Sequence, residues 1–216
     1  MVDRAAARYI AVEGPIGVGK TALARRLATE FGSRTVLERV EDNPFLKRFY
    51  DDPERHALQA QLSFTLGRYR QQVELDADDL ARTGAVADYL FAKDGIFAGI
   101  TLSVEELHLY REIFQLLDRR IPRPDLVIYL EARPDVLLRR IRKRDREFER
   151  SISPQYLERL TEAFRTFFHS YTETPLLVVN CSEIDFVEHV GDLADLVREV
   201  RGMKQGVQHY IPLGSL

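Results

Sequence analysis

Short runs of almost wholly apolar residues alternate along this chain with longer stretches whose apolar positions recur at helical spacing. The first kind predicts strands covered on both faces, the second amphipathic helices. On this pattern strands fall at 8–12, 34–38, 84–88, 125–131 and 175–180, and helices at 20–31, 54–75, 103–118, 134–146, 154–171 and 185–201. The run Leu126-Val127-Ile128-Tyr129-Leu130 has the character of a central strand. Strands alternating with helices predict an α/β fold with a five-stranded parallel sheet between helical layers. Pro53, Pro122, Pro124 and Pro154 fall at element starts or connections, where proline is tolerated. With no internal repeat or low-complexity linker, residues 1–216 are expected to form a single domain. The segment from Gly202 onward has little periodicity and is expected to be a loose tail or a contact between copies.

The first predicted strand runs into Gly14-Pro15-Ile16-Gly17-Val18-Gly19-Lys20-Thr21, which fills every fixed position of the phosphate-binding pattern G-x-x-x-x-G-K-[ST]. A strand, a glycine turn and a helix N-terminus gather backbone N–H groups at one point, where the helix dipole also favours anions. Lys20 is then placed for the β- and γ-phosphates of a nucleoside triphosphate, and the Thr21 hydroxyl for Mg²⁺. A turn that binds nothing would require neither Lys20 nor Thr21. The expected fold is therefore the three-layer P-loop NTPase sandwich.

Composition narrows the class. Hydrophobic residues make up 45% of the chain and the formal charge is −3, so no global positive field draws it to nucleic acid or to an anionic membrane. Cys181 is the only cysteine, which excludes an internal disulfide and suits a reducing compartment. No apolar run approaches the roughly 18 residues of a membrane span, and the N-terminus lacks the apolar centre of a signal peptide. A cytoplasmic enzyme is expected. The five histidines have no metal-ligand spacing, and Cys181 has no marks of a nucleophile.

A phosphate loop alone does not separate GTPases, ATPases and small-molecule kinases. No Asn-Lys-x-Asp guanine motif is present, nor an Asp-x-x-Gly switch after the third predicted strand. Instead the chain carries a basic helix, Arg139-Arg140-Ile141-Arg142-Lys143-Arg144-Asp145-Arg146, on which Arg140 and Arg144 share a face. Such clusters are commonly solvated surfaces. Beside a phosphate loop, the guanidinium groups suit the charge on a transferring phosphoryl group, which predicts an arginine-rich helical lid over about 139–153.

Four blocks together resemble the deoxyribonucleoside kinases of the bacterial deoxyadenosine/deoxyguanosine/deoxycytidine type over nearly the whole chain. They are Val12 to Thr21; Leu37-Glu38-Arg39-Val40-Glu41-Asp42-Asn43-Pro44-Phe45-Leu46 with Phe49-Tyr50; Asp88-Tyr89-Leu90-Phe91 through Asp94 to Phe97-Ala98; and Arg140 to Arg146 with Glu149, Ile152, Pro154 and Tyr156-Leu157. The resemblance implies ATP and Mg²⁺ as donor and cofactor, a small-molecule deoxynucleoside as partner and a homodimer. It implies that Glu38 takes the proton of the nucleoside 5′-hydroxyl, with Glu41 as competitor. Lys20, Arg140, Arg144 and Arg146 would stabilise the transferring group. Tyr50 and Glu149, or Glu147 in place of Glu149, would bind the sugar. Gln61, or Gln59, would bind the base together with Arg68 and Asp94. That Arg–Asp pair implies a base with an exocyclic amine, deoxyadenosine first, and argues against thymidine. Asp88 would help Thr21 with the metal, and the loop at Asp185-Phe186 would lie near the donor base. Relatives often carry arginine where Tyr89 stands, so the lid or Arg39 is expected to supply that charge. The neighbouring alternative is a nucleoside monophosphate kinase of the thymidylate type; a nucleotide-dependent switch or nucleic-acid ATPase is the more distant one.

Overall fold

A computed structural model describes residues 9–75, 77–150, 152–186 and 189–212. Its strands are β1 (Tyr9–Glu13), β2 (Arg34–Val36), β3 (Ala85–Ala87), β4 (Leu126–Glu131), β5 (Leu176–Asn180) and β6 (Val207–Tyr210). The helices are α1 (Lys20–Phe31), α2 (Leu46–Asp51), α3 (Pro53–Val73), α4 (Ala77–Thr83), α5 (Asp94–Thr101), α6 (Val104–Asp118), α7 (Pro134–Arg144), α8 (Pro154–His169) and α9 (Val190–Gly202). All strand pairs are parallel, in the order β2-β3-β1-β4-β5-β6.

The two-residue period of the strands sorts their side chains into two cores. Ile10, Val12, Ile128, Leu130, Leu177 and Val179 pack with Leu23 and Leu27 of α1, Leu137 and Ile141 of α7, and Leu196 of α9. Ala11, Val127, Tyr129 and Val178 face the other way, onto Leu160, Phe164 and Phe168 of α8 and Ile96 of α5. The central strands are buried throughout because helices cover both faces, the three-layer arrangement expected from the sequence.

The sheet has six strands, not five. The expected tail contributes β6, paired to β5 from Leu176↔Val207 to Val179↔Tyr210. Its alternate residues Val207 and His209 are exposed, and polar Gln208 and His209 interrupt the apolar run, so no strand period marks it. The open backbone edge of β5, not side-chain pattern, recruits it. α2, α4 and α5 also lie outside the predicted helices. α5 (Asp94-Gly95-Ile96-Phe97-Ala98-Gly99-Ile100-Thr101) holds two glycines and three β-branched residues, a poor helix former in isolation. Packing of Phe97 edge-on against Phe164, with ring centroids 5.9 Å apart, compensates.

Candidate active site

β2 ends at Val36 and β3 at Ala87, so Glu38 and Asp88 leave the sheet at the carboxyl edge where β1 enters the phosphate loop. In an open parallel sheet this edge is where ligands bind. Glycine is demanded at two points of the loop. Gly14 has φ +152°, and a Cβ there would lie 2.3 Å from the carbonyl oxygen of Leu130; Gly19 has φ +108°, and a Cβ there would lie 2.9 Å from the Phe186 ring. α1 begins at Lys20, so its free N–H groups open onto the loop. Lys20 Nζ donates to the carbonyls of Gly14 (2.7 Å) and Pro15 (3.1 Å). Burial pulls its ammonium down to about 8, with Glu13, Glu38 and Asp88 opposing and Lys93 assisting. A phosphate needs the protonated form. Donor affinity, measured by calorimetry, is therefore expected to fall as pH rises above about 8, and a Lys20→Arg variant should lose that dependence.

Asp88 joins the donor and acceptor sides. Its Oδ2 accepts from Thr21 Oγ1 (2.5 Å), and its Oδ1 accepts from the backbone N–H of Glu38 (2.7 Å). A hydroxyl and a carboxylate oxygen in contact are hard donors that fit Mg²⁺, which normally completes its shell with phosphate and water oxygens.

Glu38 stands between two cations. Arg68 grips Oε1 through Nε (2.6 Å) and a second nitrogen, while Lys93 Nζ lies 3.4 Å from Oε2. Burial would raise the Glu38 carboxyl, but Arg68 first and Lys93 next overcome it and hold the group down to about 2. Glu38 lines a cavity of about 340 Å³ with Lys20, Thr21, Asp88, Tyr50, Gln61, Arg68, Arg144, Arg146 and Glu149. That volume suits a small ligand.

At the far end of this cavity Arg68 also pairs with Asp94, which is fully buried at the start of α5, and its guanidinium lies 5.0 Å from the centroid of the Phe64 ring. Gln61 Nε2 donates to the Asp94 carbonyl (3.1 Å). Across the cavity the buried Glu149 accepts from Arg144 Nε (3.1 Å) and NH2 (2.6 Å), and Arg146 lies 3.9 Å from it. Tyr50 is half-buried beside Glu149, and burial raises its hydroxyl above the usual range. The alternatives Glu41, Gln59 and Glu147 are exposed, with Glu147 on Lys47 at 3.6 Å.

A second cavity, of about 430 Å³, is lined by Gly17, Val18, Gly19, Lys20, Thr21, Arg140, Arg144, Arg146, Asp185 and Phe186. It shares Lys20 and Thr21 with the first, so donor and acceptor spaces meet at the loop. Within this second space Arg140 gives NH2 to the carbonyls of Cys181 (3.0 Å) and Ile184 (2.8 Å). It braces the loop before α9, whereas Arg144 and Arg146 face both cavities. Phe186 is buried beneath Gly19 and supports the phosphate loop rather than offering an open stacking face. α9 begins at Val190, five residues later than expected, which leaves Asp185 and Phe186 in that loop. Cys181 is fully buried, and burial pushes its thiol up to about 12, an inert group.

Two residues escaped the sequence argument. Glu13 is fully buried; its Oε1 accepts from Gly14 N–H and its Oε2 from Leu90 N–H, both at 2.8 Å. Lys93 is buried and lies 3.4 Å from both Glu13 and Glu38. Arg39, expected to supply a charge here, is exposed and lines neither of these cavities but an outer groove, with Asp42 and Arg70, on the other side of Glu38 and Arg68. The available signal was a lysine directly after the apolar run Leu90-Phe91-Ala92, on the approach to a helix.

The profile of the family described as deoxynucleoside kinase matches residues 10–204. The chain is 38% identical over 201 residues to the deoxyguanosine kinase of Bacillus subtilis (strain 168), covering 90% of this chain and 97% of that one. It is 31% identical to the deoxyadenosine/deoxycytidine kinase of the same organism, covering 88% and 90%. A solved structure of deoxyadenosine kinase from M. mycoides with bound dATP superposes with a TM-score of 0.74 at 23% identity, over 88% of this chain and 97% of that one; at that identity the likeness speaks for the fold. A phosphate loop facing a clamped carboxylate across one cavity, in a chain matched almost end to end, places this protein in the deoxynucleoside kinase family.

Proposed function

We propose that this protein transfers the γ-phosphoryl group of ATP to the 5′-hydroxyl of a purine 2′-deoxynucleoside, with deoxyguanosine and deoxyadenosine ahead of thymidine. The observation that carries this reading is Glu38, an ionised acceptor in the cavity that shares Lys20 and Thr21 with the donor space. A nucleoside lying between them has its base at Gln61 and Arg68, its sugar at Tyr50 and Glu149, and its 5′-oxygen at Glu38. Oε1 of Glu38 is held by Arg68, so Oε2 takes the alcohol proton as the oxygen–phosphorus bond forms and the bond to the leaving diphosphate breaks. Arg144 and Arg146, open to both cavities, receive the charge on the transferring group. Mg²⁺, held through Thr21 and Asp88, neutralises the charge on the β- and γ-phosphates when bound.

At the base end, Gln61 directs its amide donor to the Asp94 carbonyl, which leaves Oε1 to accept from a base N–H. Adenine and guanine offer an exocyclic amine as such a donor, which thymine lacks, and Arg68 donates to ring acceptors beside it. The two Bacillus subtilis relatives are named for nucleosides whose bases all carry an exocyclic amine. The test is kcat/KM at fixed ATP for deoxyguanosine, deoxyadenosine, deoxycytidine and thymidine, alongside the monophosphates. Purine nucleosides are expected to exceed thymidine by at least about a hundredfold, the scale of an unpaired buried polar group. Turnover confined to monophosphates would overturn the reading.

A further inference from the structure

Resting on that reading, we propose that Lys93 is a positioning residue for phosphoryl transfer, aiming the free oxygen of Glu38 and tying it to the donor loop through Glu13. Lys93 belongs to a short 3-10 turn (Phe91–Lys93) ahead of α5 and is 2% exposed. A buried lysine is costly unless paired, and this one has two carboxylates at 3.4 Å. They are not equivalent. Glu13 is immobile, because both its oxygens accept backbone N–H groups, one of them from Gly14 at the entrance to the phosphate loop. Glu38 has one oxygen less tightly held. Its Oε1 is occupied by Arg68, and Oε2 faces the cavity with Lys93 as its neighbour. The clamp Glu13–Lys93–Glu38 therefore sets where the proton-accepting oxygen lies relative to the loop that carries the donor.

A purely structural ion pair would need only one of these carboxylates and no opening onto the acceptor cavity, which Lys93 lines. During transfer Lys93 keeps its proton: the alcohol proton passes to Glu38 Oε2, the 5′-oxygen bonds to phosphorus, and the diphosphate leaves. The groups around the ammonium are Glu13 from β1, Glu38 from the loop after β2, the Tyr89 ring, whose centroid lies 5.9 Å away, and the Lys20 ammonium of α1, which repels it. Loss of Lys93 disturbs the aim of Glu38 and removes one of the two cations that hold it ionised.

The experiment compares Lys93→Met, Lys93→Arg and Lys93→Ala with the parent enzyme at saturating ATP and Mg²⁺. The Met variant is expected to lose about a hundredfold in kcat while KM for nucleoside and ATP stays within about threefold. The Arg variant should retain kcat within about tenfold, and propylamine added to the Ala variant should raise its kcat in a saturable way. A Met variant with kcat within about threefold of the parent, a loss that falls on KM alone, or an Ala variant indifferent to the amine would each overturn the proposal. If neither apolar variant folds, Lys93→Gln decides, and kcat within about threefold of the parent overturns it. Absence of nucleoside turnover by the parent itself would instead remove the kinase reading, so the two failures are distinguishable.

Discussion

Substitution of Glu38 by glutamine is expected to lower kcat about a thousandfold, near 4 kcal/mol of transition-state stabilisation. The amide has the carboxylate's shape but cannot accept a proton from the attacking alcohol, and it presents an N–H₂ where Arg68 or Lys93 requires an acceptor. ATP affinity is expected to change little, because the donor space is built from the phosphate loop and lid. Steady-state kcat together with calorimetric ATP binding separates the two effects. A glutamine variant within about tenfold of the parent in kcat would remove Glu38 from its role. The sign of the pH dependence follows from the same surroundings. Arg68 and Lys93 outweigh burial and hold the folded carboxyl at about 2, below its ordinary 4.5. The stability this group contributes is thus complete above the unfolded value and is lost as pH falls toward 2. Across ordinary assay pH the base stays ionised, so an acid limb in the rate profile near 4.5 would count against this assignment.

Substitution of Arg68 by methionine is expected to cost about 3–5 kcal/mol of folding stability, besides abolishing turnover. Methionine fills much of the same volume but strands Asp94, which is 0% exposed and relies on that guanidinium to compensate its charge. It also leaves Glu38 with Lys93 alone, so the carboxyl should rise from about 2. Chemical denaturation with matched slopes measures the loss. The double variant Arg68→Met/Asp94→Leu should regain most of the stability without regaining activity, since it removes the stranded charge but not the misplaced base. A single Met variant as stable as the parent would mean that Asp94 is compensated from elsewhere. Lysine at this position is not an equivalent change. One ammonium cannot span Glu38 and Asp94 with the planar fork that Arg68 uses on both.

Residues 14–21 were legible because glycine at Gly14 and Gly19 answers to local backbone geometry, and the Lys20-Thr21 pair answers to phosphate chemistry a few residues away. The central strands were legible because burial on both faces leaves an unbroken apolar run. α5 was not, since its glycines and β-branched residues argue against a helix until the rings of Phe97 and Phe164 meet. β6 was hidden for a similar reason: an edge strand needs a partner's backbone more than an apolar pattern.

The same division runs through the site. Local spacing and residue chemistry by themselves determined a phosphate loop and a basic helix in one α/β chain, and it was the resemblance to deoxyribonucleoside kinases that singled out Glu38 after the second strand. Only the tertiary structure decided which charges meet. Glu13, Glu38, Arg68 and the adjacent Lys93 and Asp94 come from four separate segments and alternate in sign in a buried chain. No periodicity encodes such pairing, because it acts through space at a few ångströms and is indifferent to sequence separation. It also gave Arg140 the carbonyls of Cys181 and Ile184 on the wall of the donor cavity, and placed Lys93, not Arg39, against the Glu38 carboxylate.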